Sequence, residues 1–73
     1  MIEMQTVSSP FIHAIGYDDE VQELYVKFSS GSLYAYSNID ASVWEDFKAA
    51  ESKGRFLNDT IKKQAAAYRK VDL

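Results

Sequence analysis

The 73-residue sequence predicts an α+β fold: an antiparallel three-stranded β-meander, with a short fourth strand left open at residues 4–8, and two helices packed on one face. Three observations carry that expectation. Residues 24–28, "LYVKF", alternate apolar and other side chains with the period of two that marks a half-buried strand. A turn-like "SSG" and a second strand-like run, "SLYAYSNI", follow at once, the pattern of a hairpin. Beyond residue 39 the spacing changes, and Val43, Trp44, Phe47 and Ala50 recur at helical intervals.

The first strand-like segments are "MQTVSS" and "FIHAIGYD", separated by Pro10. Proline has no amide hydrogen to give to a ladder, so it marks an edge, a strand start or a break. The acidic run "DDEVQE" at 18–23 suits a connection into the hairpin.

The hairpin admits two registers with opposite consequences. A two-residue turn at Ser30-Gly31 pairs Phe28 with Leu33 and sends Tyr34 and Tyr36 to the face opposite Leu24, Val26 and Phe28. A three-residue loop, Ser29-Ser30-Gly31, pairs Phe28 with Ser32 and puts both tyrosines on the Leu24, Val26, Phe28 side. Turn chemistry favours the longer loop, because a two-residue type I′ turn prefers Asn or Asp before Gly. The three-residue form needs only a type I turn followed by Gly in the left-handed region. On that reading the tyrosine rings line the core side, with their hydroxyls at its rim.

In the second half, Asp40 reads as the N-cap of a helix near 40–52. Gly54 reads as its C′ residue, with Lys53 placed for the negative end. "RFLNDTIKKQAAAYRK" reads as a second helix, near 55–67, carried by Phe56, Leu57, Ile61 and an alanine run. "VDL" is an extended tail.

Composition narrows the class. Residues 1–73 make one domain at most, with a core near the lower limit for folding unaided, strengthened by ten aromatic residues. There is no cysteine, hence no disulfide or thiolate metal site, and a reducing, cytoplasmic compartment is the expectation. No basic start leads into an apolar run, and no stretch approaches a membrane-spanning length, so neither signal peptide nor membrane association is expected. The net charge of −3 is unevenly placed. Residues 1–47 carry one basic residue, Lys27, against eight acids, whereas residues 48–73 carry seven basic residues against three acids. The overall charge argues against indiscriminate phosphate binding and leaves a basic patch in the last third.

No catalytic set emerges, and the expectation is a protein that is not an enzyme and uses neither cofactor nor metal. His13 is the sole histidine and reads as a sheet-surface residue, since one histidine cannot nominate a metal site. The serine pairs lack a nucleophile elbow, Asp18-Asp19-Glu20 lacks the spacing of a calcium loop, and the three glycines form no phosphate loop. Two features remain: the tyrosines Tyr25, Tyr34 and Tyr36, and the basic segment Lys53, Arg55, Asn58, Lys62, Lys63. Cations that hold a backbone beside rings that stack bases are the parts of a single-strand-binding surface.

In this order the features resemble the KTSC domain family, named for its occurrence at the C-terminus of some lysyl-tRNA synthetases and also found as free-standing small bacterial proteins. The resemblance rests on Ile12, Gly16-Tyr17-Asp18, Leu24, Val26, Phe28, Gly31, the Tyr-x-Tyr at Tyr34 and Tyr36, then Ala50, Ser52, Gly54, Phe56, Asn58 and Ile61. It covers about Val7 to Val71. Asp40 stands where the family often has proline, and Ala66-Ala67 stand where it tends to an aromatic-proline pair before Tyr-Arg. What the resemblance implies is a small α+β domain with no established activity and a suggested role in RNA binding.

The expectation is therefore a cytoplasmic, non-enzymatic binding module that engages RNA or another nucleic acid weakly. Lys53, Arg55, Lys62 and Lys63 contact phosphate in this reading, and Asn58 and Tyr36 supply polar or stacking contacts. The alternative is a protein-interaction module or homodimer that uses the hairpin edge or a helix face.

Overall fold

The structure, a computed structural model, describes residues 2–71. Five strands run in chain order across one sheet, each antiparallel to its neighbour: β1 (Gln5–Thr6), β2 (Ile12–Asp18), β3 (Glu23–Phe28), β4 (Leu33–Tyr36) and β5 (Tyr68–Val71). Helix α1 (Ala41–Ala49) and helix α2 (residues 53–64) lie between β4 and β5 in the chain. In α2 a π-helical turn, Leu57–Ile61, separates α-helical Lys53–Phe56 from Lys62–Gln64, with the Lys62 amide donating to the Leu57 carbonyl. The wide turn keeps Leu57 and Ile61, four residues apart, both buried on the sheet side.

The short strand left open in the sequence is present as β1, paired to β2 through Gln5 with Ile15 and Thr6 with Ala14. The sheet is wider than three strands for a second reason, which corrects the helix expected over 55–67. That helix stops at Gln64, and Tyr68–Val71 form β5 against β4. The alanine run favours helix by a few tenths of a kcal/mol per residue, roughly, and tertiary hydrogen bonds override it. Ala66 N–H donates to the Ser37 carbonyl (3.2 Å), Ala67 N–H to Ser37 Oγ (3.1 Å), and Ser37 N–H to the Ala67 carbonyl (2.9 Å). Of the expected "VDL" tail, Val71 belongs to β5, and Asp72 and Leu73 lie outside the described residues.

The β3–β4 hairpin closes through the three-residue loop. Phe28 N–H donates to the Ser32 carbonyl (2.8 Å) and Gly31 N–H to the Phe28 carbonyl (2.9 Å), with Gly31 at φ +99°. That φ lies where a Cβ is strained. Leu24 therefore opposes Tyr36 and Val26 opposes Tyr34, so the two tyrosines share the apolar face of β3. Ile12 and Ile15 of β2 fall on the same face, opposite Phe28 and Val26. On the other face, a Cβ on Gly16 would lie 2.6 Å from Met4 Sδ and 3.0 Å from the Glu3 carbonyl oxygen. Only glycine there lets the N-terminal segment lie so close.

The helices close the core. Asp40 caps α1 by accepting from the Val43 amide (3.2 Å) and the Ser42 hydroxyl (2.8 Å), which hold its carboxyl below the usual carboxylate range. Phe47 is fully buried beside Ile39, and its ring stacks on Phe56 of α2 at 5.5 Å. Gly54 is not the C′ residue of α1. The helix ends at Ala50 in extended geometry, and Gly54 sits in the first turn of α2, which Ser52 caps by accepting from the Arg55 amide (3.3 Å). Lys53 does serve the end of α1, because its Nζ donates to the Ala50 carbonyl.

Tyr36 is 5% exposed and has no hydroxyl partner among the described hydrogen bonds, so its ring carries its contribution. Replacing Tyr34 and Tyr36 together by phenylalanine is expected to move stability by under about 1 kcal/mol. Replacing both by alanine removes roughly 3–5 kcal/mol at Tyr36 alone, against a total of about 4–11 kcal/mol for a domain this size. The double-alanine variant is expected to be unfolded in a urea titration followed by circular dichroism.

Candidate functional site

The helices cover less of the sheet than its five strands offer. Between the C-terminal end of α2 and the β4–β5 half of the sheet lies a groove of about 940 Å³. That is at the upper end of the range for small-ligand sites. Its floor is a series of rings on one face. Phe28 meets Tyr34 edge-on (5.7 Å between centroids), and Tyr68 of β5 leans on both Tyr34 (6.3 Å) and Tyr36 (6.0 Å). Exposure rises along the series from 5% at Tyr36 to 70% at Tyr68. Burial raises the Tyr36 phenol above its ordinary pKa, with Tyr34 and Tyr68 adding to the shift.

Phe11 borders the groove at the hairpin tip and is 71% exposed. Its backbone is nonetheless held. Ser29 N–H donates to the Phe11 carbonyl (2.8 Å), Ser29 Oγ–H to the Pro10 carbonyl (3.3 Å), and Ser9 Oγ accepts from the Phe11 amide (3.4 Å). The opposite wall is Lys62 and the small side chains of Ala65–Ala67. Lys70, paired with Tyr34 across β4–β5, shares the floor's face, and among the described residues no carboxylate lines the groove. The site therefore offers flat apolar rings, serine hydroxyls at the tip and ammonium groups, in a chain whose net charge is −3.

The expected site residues separate. Tyr36 and Lys62 line the groove, Tyr36 as floor and Lys62 on the wall. Lys63 follows on the exposed last turn of α2, Asn58 is exposed in the π-helical turn, and Arg55 and Lys53 stand in the first turn. Seven residues of helix, about 10 Å, separate Arg55 from Lys62. Tyr25 lies on the other face, donating to Glu23 Oε1 (3.0 Å), and Arg69 pairs with Glu23 Oε2 (3.5 Å). Burial, and then the bond to Glu23, raise the Tyr25 phenol. His13 is exposed at the β-bulge between Ile12 and Ala14.

Sequence reasoning passed over Phe11 and Tyr68, the two most open rings. The signal for Tyr68 was the alternation Tyr68-Arg69-Lys70-Val71, which sends Tyr68 and Lys70 to one face and Arg69 to the other once it is read as a strand. For Phe11 it was Pro10, which ends one pairing and places the next residue at a strand start.

The family model described as KTSC domain matches residues 8–64. A KTSC domain protein of Yersinia pestis has a crystal structure that superposes with a TM-score of 0.92 and 33% identity, over 99% of this chain and 100% of that one. A protein of Tsukamurella paurometabola is 44% identical over 59 residues, 81% of this chain and 88% of the relative. A lysine–tRNA ligase of Nostoc punctiforme is 41% identical over 51 residues, which are 70% of this chain and 9% of the ligase.

Because the Tyr36 pKa is raised in the fold, its contribution to stability is whole below the ordinary tyrosine value of 10.0 and is lost as pH rises through the folded value. Tyr17 and Tyr25 are raised as well and fall in the same direction. Urea midpoints measured across the alkaline range are expected to decline above about pH 10, and Tyr36→Phe to decline less. An identical decline in Tyr36→Phe contradicts the assignment.

Proposed function

The chain belongs to the KTSC domain family, and from that premise we propose that it is a cytoplasmic, non-enzymatic binding module whose ligand is single-stranded RNA, held weakly. The observation that carries the reading is the groove: exposed rings and lysines on one face, with no acid among the described residues that line it, in a net acidic protein. Bases present flat faces to aromatic rings whatever their identity, and the phosphates between them need cations. Lys62 and Lys63 at the end of α2 serve the backbone nearest the groove. Arg55 and Lys53 serve a strand that continues along the helix, with Asn58 between them. Tyr36 acts from beneath, by setting the rings above it. The lysine–tRNA ligase relative is consistent with an RNA setting.

A second reading has one observation in its favour. On its outer side β5 has no partner strand among the described residues, so a protein strand or a second copy has an edge to extend. A monomeric elution volume at every concentration removes the homodimer version.

Affinity for an unstructured labelled oligonucleotide is expected to fall linearly in log–log form with salt, with a slope near −0.7 for each phosphate contacted. Lys62→Ala and Lys63→Ala are each expected to weaken binding and to flatten that slope by about 0.7. No binding at low salt and high protein concentration overturns the RNA reading.

A further inference from the structure

Resting on that reading, we propose that Phe11 and Tyr68 are two separate base-stacking positions of one site, so that the groove takes a run of consecutive unpaired nucleotides and not a single nucleotide. The two rings are the large exposed aromatics of the molecule, at 71% and 70%, and both border the groove. Neither is a frayed end. The Phe11 backbone is tied to Ser29 and Ser9, and Tyr68 is paired with Tyr36 in the sheet. A ring held by its backbone and open on its face loses little freedom when a base lands on it.

Their separation sets the ligand. Tyr68 lies opposite Tyr36, four residues along β4 from Ser32 at the hairpin tip, where Ser29 holds Phe11. Four strand residues span roughly 13 Å, and the three strand spacings from β5 to β2 add roughly 14 Å at right angles. The two backbones are thus about 19 Å apart along the diagonal, too far for one base to touch both rings. A strand that reaches both passes over Phe28 and Tyr34, with Lys62 on the wall beside it. Charge decides its chemistry. The cations Lys62 and Lys70, with no carboxylate lining the groove among the described residues, suit a polyanion that carries flat rings, where a neutral proline-rich segment has rings to meet but no anion.

The experiment is fluorescence anisotropy with a labelled oligouridylate about six nucleotides long, with uridine monophosphate as competitor, for the full chain and its Phe11→Ala, Tyr68→Ala and double variants. Ala66→Trp is a further variant that keeps both rings and fills the groove from its wall. Circular dichroism confirms that each variant is folded. The expected result is a loss of roughly five- to 150-fold for each single variant, a double-variant loss near the product of the two, weak competition by the mononucleotide, and loss of binding in Ala66→Trp. Wild-type affinity in both Phe11→Ala and Tyr68→Ala overturns the inference and leaves the RNA reading standing. Sensitivity to only one ring, or competition by the mononucleotide as strong as by the unlabelled oligouridylate, overturns the two-position site. No oligouridylate binding at low salt overturns the inference and the reading together, as does Tyr68-dependent binding of a proline-rich peptide in its place.

Discussion

The register of the β3–β4 hairpin is the constraint on which the rest of the structure depends. The three-residue loop ending in Gly31, at φ +99°, brings Phe28 opposite Ser32 and every later residue of β4 into line behind it. Tyr34 and Tyr36 then face the same side as Leu24, Val26, Ile12 and Ile15. One residue fewer in the loop turns β4 over, placing Leu33 and Ala35 on the helix side and both phenols on the other. The core would lose a large ring, and the groove would lose its floor.

Packing and site are therefore one system of rings. Tyr36 lies within the cluster of Leu24, Ile39, Phe47 and Ile61, and Tyr68 rests on it from the solvent side. A buried ring fixes the position of an exposed one, which makes the exposed ring a rigid surface. The break in the alanine run makes this arrangement possible. Had residues 65–67 stayed helical, Tyr68 would have continued along α2 and not crossed to β4. The hydrogen bonds between Ser37 and the Ala66–Ala67 backbone redirect the chain, and the small alanine side chains leave the wall of the groove low.

Much of this was legible in the residues. The alternation of "LYVKF" and the chemistry of "SSG" indicated the hairpin and its register, because both are local properties of a few consecutive side chains. Asp40 was legible as a cap for the same reason. Tertiary partners settled what was missed. Gly54 looks like a helix end from its neighbours, yet Ser52 is placed to cap the next helix and claims it. The strand β5 follows three alanines whose local preference is helical, and only Ser37, some thirty residues earlier, decides otherwise. Of the residues that line the groove, Tyr36 and Lys62 stand out in the sequence through composition and spacing. Phe11 and Tyr68 carry local signals, Pro10 before one and a strand-like alternation after the other, but only the ordering of the five strands brings the two to one groove.

On the proposed function, a single-stranded ligand lands on the groove face of the β4–β5 half-sheet. Titration of the isotopically labelled protein with an unstructured oligoribonucleotide, followed by backbone and aromatic-ring chemical shifts, tests it most directly. Concentration-dependent shifts are expected at Phe11, Ser29–Ser32, Tyr34, Lys62 and Tyr68, with Tyr25 and Trp44 unmoved. Shifts centred on Tyr25 and Arg69 on the other face of the sheet, or on Trp44 of α1, would contradict it.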